Sequence, residues 1–304
     1  MSAAALPDAA NGTVITVGTF DGVHLGHQRV LEEIAVRARR ARRRSVLVTF
    51  EPHPLKIVNP QAAPHLLTLP HERREILAQS ELDAVVFMAF TADLSQYSPQ
   101  AFVELLLSRF HLKELVIGYD HGFGRGRAGD ARLLERLGES LGFDVDVVAE
   151  VDLGGRPVSS TLVRRAVGGG DLETARKLLG RPYSLTGRVV RGAGRGAEVG
   201  YRTVNLAPPD PDKLLPPDGV YAVRVEWRHG RAGGMMHQGP RPTFGENDRS
   251  LEVHLFESDV HLYGEMVKLS WIRRLRGVRS FTSREALKAQ LDKDFREARS
   301  ALTG

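Results

Sequence analysis

Residues 17–27 read Val-Gly-Thr-Phe-Asp-Gly-Val-His-Leu-Gly-His, and this stretch decides how the first half of the chain is interpreted. The segment that leads into it, Thr13–Val17, consists entirely of β-branched residues and predicts a short buried strand. The residues after it predict a helix over 25–40 with apolar side chains on one face. The stretch therefore joins a strand to a helix, and its glycines let the backbone approach a ligand closely.

His24 and His27 lie three residues apart at the predicted helix start, so the spacing places them on one face. The N–H groups and positive dipole end of a helix N-terminus attract phosphate. Two imidazoles at that place can donate hydrogen bonds to phosphate oxygens as charge shifts during transfer. A structural helix cap is one alternative, and a zinc site is another, although no third ligand has convincing spacing.

The rest of the first half alternates strand-like and helix-like segments, which predicts an open, doubly wound parallel sheet. Ligands of such sheets bind at the carboxyl ends of the strands, where residues 17–27 lie. The further predicted strands cover 45–50, 84–89, 115–118 and 145–149, and the further helices cover 71–78, 99–109, 130–141 and 171–179.

The second half consists mainly of β-type segments separated by turns, and it predicts a small barrel or sandwich. A closing helix follows, for which Thr282 and Glu285 predict a capping box. We place the domain boundary between the two patterns, with one domain over 1–182 and the other over 183–304. The predicted strands cover 184–190, 220–227, 251–256 and 266–272.

Composition restricts the class of protein. The 304 residues are 42% hydrophobic and 26% charged, as in ordinary globular proteins, and the absence of cysteine excludes disulfides and thiolate chemistry. The longest apolar run, 84–90, is far shorter than a membrane span, and no secretory signal is recognisable, so we expect a cytoplasmic protein. The net charge of +5 is not gathered into a basic tail, which argues against a nucleic-acid partner.

His24-Leu-Gly-His27 resembles the HxGH signature of nucleotidylyltransferases, and residues 18–28 resemble the first motif of the prokaryotic bifunctional riboflavin kinase/FAD synthetase family. Four later segments resemble motifs of the same family in the same order. They are Thr-Phe-Glu-Pro-His-Pro at 49–54, Gly-Tyr-Asp-His-Gly-Phe-Gly at 118–124, Val-Ser-Ser-Thr-Leu-Val-Arg at 158–164, and residues 169–183 at the join between the family's two modules.

For the N-terminal domain, the resemblance implies a Rossmann-like FMN adenylyltransferase that converts FMN and ATP to FAD and pyrophosphate. It implies that His24 and His27 are catalytic and that His53 and Pro54 contact the flavin. The hydroxyls of 159–161 and Arg164, one helical turn on, could also grip phosphates on physical grounds, although a helix cap with a surface arginine is the alternative. The implied ATP contacts are Gly18, Phe20, His24, Gly26, His27, Asp120, Ser160, Thr161 and Arg164.

For the C-terminal domain, the resemblance implies a riboflavin kinase barrel that uses ATP to make FMN. Residues 194–206 resemble the family's glycine-rich segment, in which Gly196 and Gly200 would contact ATP, and Thr203 and Asn205 would hold magnesium and ATP phosphates. Glu252 matches the family's catalytic glutamate, which is placed to act as a general base.

This sequence departs from the family at Arg202, where proline is usual, and at His237, where asparagine is usual. These two departures leave open an adenylyltransferase with a non-catalytic flavin-binding barrel as one alternative to the bifunctional enzyme. An RNA-associated protein that reuses the fold is a separate alternative. The expected small molecules are riboflavin, FMN, FAD, ATP and magnesium. We expect no membrane association, and a homo-oligomer is compatible with the sequence.

Overall fold

The computed structural model describes residues 11–118, 131–191, 203–207, 209–240, 249–256 and 260–303. Contacts divide the chain into two compact units, Met1–Ser160 and Thr161–Gly304, here called the N-terminal and C-terminal units. The domain boundary that we placed between residues 182 and 183 stays a prediction. Four residues singled out from the sequence lie outside the described part of the chain: Asp120, Gly196, Gly200 and Arg202.

The N-terminal unit alternates strands and helices as the sequence pattern predicts. Its strands are β1 (Thr13–Val17), β2 (Arg44–Glu51), β3 (Ala84–Ala89), β4 (Leu112–Gly118) and β5 (Asp144–Val148). Its helices are α1 (Leu25–Ala41), α2 (Pro54–Val58), α3 (Pro70–Leu77), α4 (Ala92–Ser95), α5 (Pro99–Phe110) and α6 (Ala131–Leu141), with a 3₁₀ turn at Pro60–Ala62.

The five strands form one parallel sheet in the order β3-β2-β1-β4-β5. Successive residues of a strand point to opposite faces, and the neighbours Val14 and Ile15 accordingly belong to two different apolar cores. Val14 packs on the side of α1, with residues such as Ile34, whereas Ile15 packs on the side of α5, with residues such as Leu106. Helices therefore cover both faces, which confirms the predicted doubly wound, Rossmann-like fold.

Within its described residues, the C-terminal unit forms a closed antiparallel barrel of six strands in the order β10-β7-β6-β11-β8-β9. Helix α7 (Ser160–Gly169) begins at the division between the units, and α8 (Leu172–Leu179) precedes the barrel. The strands are β6 (Tyr183–Val190), β7 (Val204–Leu206), β8 (Gly219–Trp227), β9 (Gly230–Pro240), β10 (Arg249–Leu255) and β11 (Met266–Arg276), and helix α9 (Arg284–Thr303) closes the unit. The structure thus decides between the two predicted possibilities in favour of the barrel.

Helix α9 packs its apolar side on the barrel, where Ala298 lies in one core with Val220 and Ala222 of β8. The predicted capping box at Thr282 is wrong by one residue. The Ser283 hydroxyl accepts the N–H of Ala286 at 3.1 Å, and Ser283 thereby caps the helix that begins at Arg284. In the described ranges, no helix combines the length and apolar character that crossing a membrane requires.

Candidate active sites

The turn after β1 is built from strained backbone. Phe20 and Val23 have φ angles of 48° and 39°, values that are uncommon for residues with a side chain and rare for a β-branched one. Gly18 leaves room for the Phe20 ring, because a Cβ atom at position 18 would lie 2.9 Å from that ring and would displace it. Such strain persists only where surrounding contacts fix the backbone, and it concentrates at ligand-binding sites.

His24 ends this turn and caps helix α1. Its Nδ1 accepts the backbone N–H of His27 at 3.3 Å, and the residue is only 6% exposed. An Nδ1 that accepts a hydrogen bond carries no proton, so the proton of the neutral ring resides on Nε2, which stays a donor. The predicted helix cap and the predicted phosphate site therefore do not exclude each other.

The rings of His24 and His27 stack, with centroids 3.6 Å apart and planes inclined by 17°. The ring of Phe20 covers His27 from another side, at a centroid distance of 4.5 Å. Gly26 permits this packing, because a Cβ atom there would lie 3.2 Å from Nδ1 of His24 and 3.3 Å from the carbonyl oxygen of Val158. The structure thus brings together Gly18, Phe20, His24, Gly26 and His27, all predicted ATP contacts.

Asp21 was not among the predicted site residues, yet it fixes the turn to the chain before α3. Its carboxylate is 1% exposed and accepts hydrogen bonds from Leu67 N at 3.0 Å, Thr68 N at 2.9 Å and Thr68 Oγ1 at 3.0 Å. The Thr68 hydroxyl also accepts the N–H of Gly22 at 3.0 Å. No local sequence signal indicated this role, because the partners lie 46 and 47 residues away along the chain.

Ser160 contacts the same turn from the far end of the N-terminal unit. Its hydroxyl donates to the carbonyl oxygen of Asp21 at 2.9 Å. Thr161 and Arg164 follow in helix α7, where Thr161 is exposed and Arg164 is partly exposed. Of the three predicted phosphate contacts in this segment, the structure therefore places Ser160 at the histidine turn.

The second motif forms a neighbouring turn at the end of β2. Strands β1 and β2 run parallel with Val17 paired to Val48, so their carboxyl ends are adjacent. His53 caps helix α2 by accepting the N–H of Leu55 at 3.2 Å, and Pro54 occupies the first helical position. Leu55, Ile57 and Val58 of α2 are exposed apolar residues beside this turn. These three side chains form exposed apolar surface close to His53 in the chain.

In the barrel, strand register places two of the predicted kinase residues, Glu252 and Asn205, directly beside each other. Glu252 of β10 is paired with Asn205 of β7 on one side and with His237 of β9 on the other. Directly opposite residues in an antiparallel pair lie on the same face with Cβ atoms about 4.5–5.5 Å apart. Asn205 is 5% exposed, while Glu252 and Thr203 are partly buried.

His237 lies within the field of several charged groups. Burial lowers the pKa of His237, and the positive charge of Arg276 acts in the same direction, whereas the negative charges of Glu252 and Asp218 act against it. Its ring lies over Gly239, where a Cβ atom would come within 3.3 Å of its Cε1. The departure from asparagine at this position thus places a largely uncharged imidazole beside Glu252 at neutral pH.

The N-terminal fold carries a strained histidine turn at the carboxyl ends of its parallel strands, which is typical of a nucleotidylyltransferase-type domain. The barrel that follows carries Glu252 beside Asn205. A protein-family model described as FAD synthetase matches residues 6–162, and one described as riboflavin kinase matches residues 179–302. The chain belongs to the bifunctional riboflavin kinase/FAD synthetase family.

Individual relatives agree with this membership. The bifunctional riboflavin kinase/FMN adenylyltransferase of Escherichia coli K12 is 35% identical over 95% of this chain and 92% of its own length. The protein of the same name from Listeria monocytogenes is 34% identical over 94% of this chain and 91% of its own. A crystal structure from Streptococcus pneumoniae, described as a macrolide-efflux protein, matches with a TM-score of 0.86 at 29% identity over 96% of this chain and 94% of that one.

Proposed function

We propose that this chain catalyses both reactions named for its relatives: phosphorylation of riboflavin by ATP to FMN, and adenylylation of FMN by ATP to FAD and pyrophosphate. The single observation that carries the adenylyl-transfer assignment is the pair of stacked histidines at the capped start of α1. The family match over both units supports the pairing of the two activities in one chain.

In the adenylyl transfer, a phosphate oxygen of FMN attacks the α-phosphorus of ATP. The bond from that phosphorus to the bridging oxygen breaks, and pyrophosphate leaves with the electron pair. The nucleophile is already ionised at neutral pH, so no general base is needed. His24 Nε2–H, the ring of His27 and the N-terminal end of α1 would hold the phosphates and stabilise the charge that develops on them.

The remaining predicted contacts of the N-terminal unit receive three different roles. Ser160 donates its hydroxyl proton to the carbonyl of Asp21, so we assign it to holding the turn as well as to phosphate. Thr161 and Arg164 remain proposed phosphate contacts through a hydroxyl and a guanidinium. His53 and Pro54, beside the exposed apolar residues of α2, are the proposed flavin contacts.

In the kinase reaction, we assign Glu252 as the general base that accepts the proton of the terminal ribityl hydroxyl. The hydroxyl oxygen then attacks the γ-phosphorus of ATP, and ADP leaves. The pairing of Glu252 with Asn205 across β10 and β7 supports a common site. His254, on the same face as Glu252, instead lies 6.0 Å from the ring of Phe295, so we assign it a packing role.

The oxygens of Thr203 and Asn205 fit a magnesium ion, which prefers hard oxygen ligands. Among the described residues, no group of three or more carboxylate or histidine side chains is placed to hold a metal ion. The proposed ligands are therefore these two oxygens together with the phosphates of ATP. When bound, magnesium would neutralise charge on the phosphates of ATP. The alternative of a non-catalytic barrel is not favoured, because the riboflavin kinase model matches residues 179–302, which include all strands of the barrel. The family match gives the RNA-associated alternative no support.

Two variants test the two assignments separately. The purified chain is incubated with ATP and magnesium in two separate assays, one started from riboflavin and the other from FMN. The flavins are then separated by chromatography. Glu252→Gln should lower FMN formation at least about 100-fold and leave FMN-to-FAD conversion unchanged, because a general base contributes about 10²–10⁴-fold. His27→Ala should do the reverse. Loss of both activities in either folded variant would contradict separate sites.

A further inference from the structure

Arg73 of helix α3 connects the two motif turns of the N-terminal unit. It is 6% exposed, and its guanidinium donates to the carbonyl oxygen of Thr19 through Nη1 at 2.6 Å and to that of Phe50 through Nη2 at 2.7 Å. Thr19 belongs to the histidine turn after β1, and Phe50 directly precedes Glu51 at the end of β2. One rigid, planar group therefore spans the starts of both turns.

The histidine turn depends on hydrogen bonds from outside itself. Phe20, the residue after Thr19, has a φ angle of 48° and does not hold this conformation by local preference. The carbonyl of Thr19 accepts a second hydrogen bond from Thr49 Oγ1 of β2 at 3.1 Å. Donors on β2 and α3 thus fix the position of the turn relative to the neighbouring strand.

Burying a charged guanidinium costs desolvation free energy. Burial lowers the pKa of Arg73, while the negative charges of Asp21 and Glu51 act in the opposite direction. Its Nε atom is buried and has no hydrogen-bond partner among the described residues. An apolar side chain of similar length would avoid this desolvation, so packing alone does not account for an arginine at this position.

We propose that Arg73 is a positioning residue of the adenylyl transfer, which sets the separation between the histidine turn and the His53 turn. The inference rests on the proposed function, in which ATP binds at the first turn and FMN at the second. Each turn would still bind its own substrate without Arg73. The attacking phosphate oxygen and the α-phosphorus would be misaligned, and displacements of about 1 Å can lower a rate about 100-fold.

The test compares Arg73→Met, Arg73→Lys and Leu77→Ala. Arg73→Met removes both donors and the charge, while Arg73→Lys keeps the charge but donates from a single nitrogen. Leu77 lies on the same helix and is buried in the core, so Leu77→Ala destabilises the unit without touching either carbonyl. For each protein, kcat and both KM values of FAD formation, the rate of FMN formation and the melting temperature are measured.

We expect Arg73→Met to lower kcat of FAD formation about 10- to 100-fold while each KM changes less than about threefold. Arg73→Lys should fall between this variant and the parent, and FMN formation from riboflavin should be unchanged in both. Leu77→Ala should lower the melting temperature but keep kcat.

A kcat within twofold of the parent in Arg73→Met overturns the inference, and so does an equal loss of kcat in Leu77→Ala. If Arg73→Met does not fold, a parental kcat in Arg73→Lys overturns it. Failure of the parent chain to form FAD from FMN and ATP would instead refute the proposed function, so the two failures are distinguishable.

Discussion

Asp21→Ala tests how strongly the histidine turn depends on its buried carboxylate. The change removes the acceptor of three hydrogen bonds, two from backbone N–H groups at Leu67 and Thr68 and one from the Thr68 hydroxyl. Each buried donor that loses its partner costs about 1–3 kcal/mol. At about 1–2 kcal/mol each, the loss amounts to about 3–6 kcal/mol, a large part of the roughly 5–15 kcal/mol by which a domain is stable.

The stability of the N-terminal unit is followed by thermal and urea unfolding, and FAD formation is followed by chromatography. We expect a melting temperature lower by on the order of 10 °C. We also expect loss of FAD formation below that temperature, because the turn that carries His24 and His27 is no longer held to residues 67–68.

Asp83→Ala is the matched control. Asp83 accepts hydrogen bonds from the N–H and the hydroxyl of Ser45, each at 2.8 Å, at the amino end of β2 and therefore at the opposite end of the sheet. It is more exposed than Asp21, so we expect a smaller loss of stability and an unchanged kcat. A parental kcat in folded Asp21→Ala, or an equal loss of kcat in Asp83→Ala, would refute the reasoning.

Two further predictions concern the C-terminal unit. Because burial lowers the pKa of His237 below its ordinary value of about 6.5, the unfolded chain binds more protons than the folded one just below that pH. Stability should therefore decline as the pH falls below about 6.5. The stability of His237→Asn, measured by unfolding at a series of pH values, should decline less, and parallel plots of stability against pH for the parent and the variant would contradict this. The Asp294 carboxylate is 1% exposed and accepts hydrogen bonds from Nε and Nη2 of Arg276 at 2.9 and 2.7 Å. Asp294→Ala leaves the Arg276 guanidinium without this carboxylate and should lower the stability of the barrel by about 3–5 kcal/mol. An unfolding midpoint equal to that of the parent would show that this pair does not hold α9 to the barrel.

Several elements escaped prediction for identifiable physical reasons. Strand β7 has three residues, too few to show a period of two. Strand β9 contains four glycines, and glycine is ordinarily depleted in strands. Gly234 is needed for close packing, because a Cβ atom there would lie 2.8 Å from the carbonyl oxygen of His254. At Gly233, a Cβ atom would lie 2.7 Å from the Leu302 side chain, which would have to move. That requirement exists only once β10 and α9 are in place.

The sequence predicted the residues of the histidine turn but not the side chains that hold the turn in place. The glycine and histidine spacing of residues 17–27 indicated a phosphate-binding turn, and the structure places those residues together. Nothing local indicated that Asp21 would bind residues 67–68 or that Arg73 would bind two carbonyls. Those partners are 46, 47, 54 and 23 residues away along the chain.

By itself, the sequence determined the alternation of strands and helices, the change to β-type segments and the turn that carries the histidines. These features follow from the spacing of neighbouring side chains and from local backbone preference, which act over a few residues. Only the tertiary structure decided that the second half closes into a barrel, that Glu252 faces Asn205 and His237, and that a buried arginine and a buried aspartate fix the strained turn. Strand register and buried hydrogen bonds depend on which distant segments pack together, and the periodicity of any single segment does not contain that information.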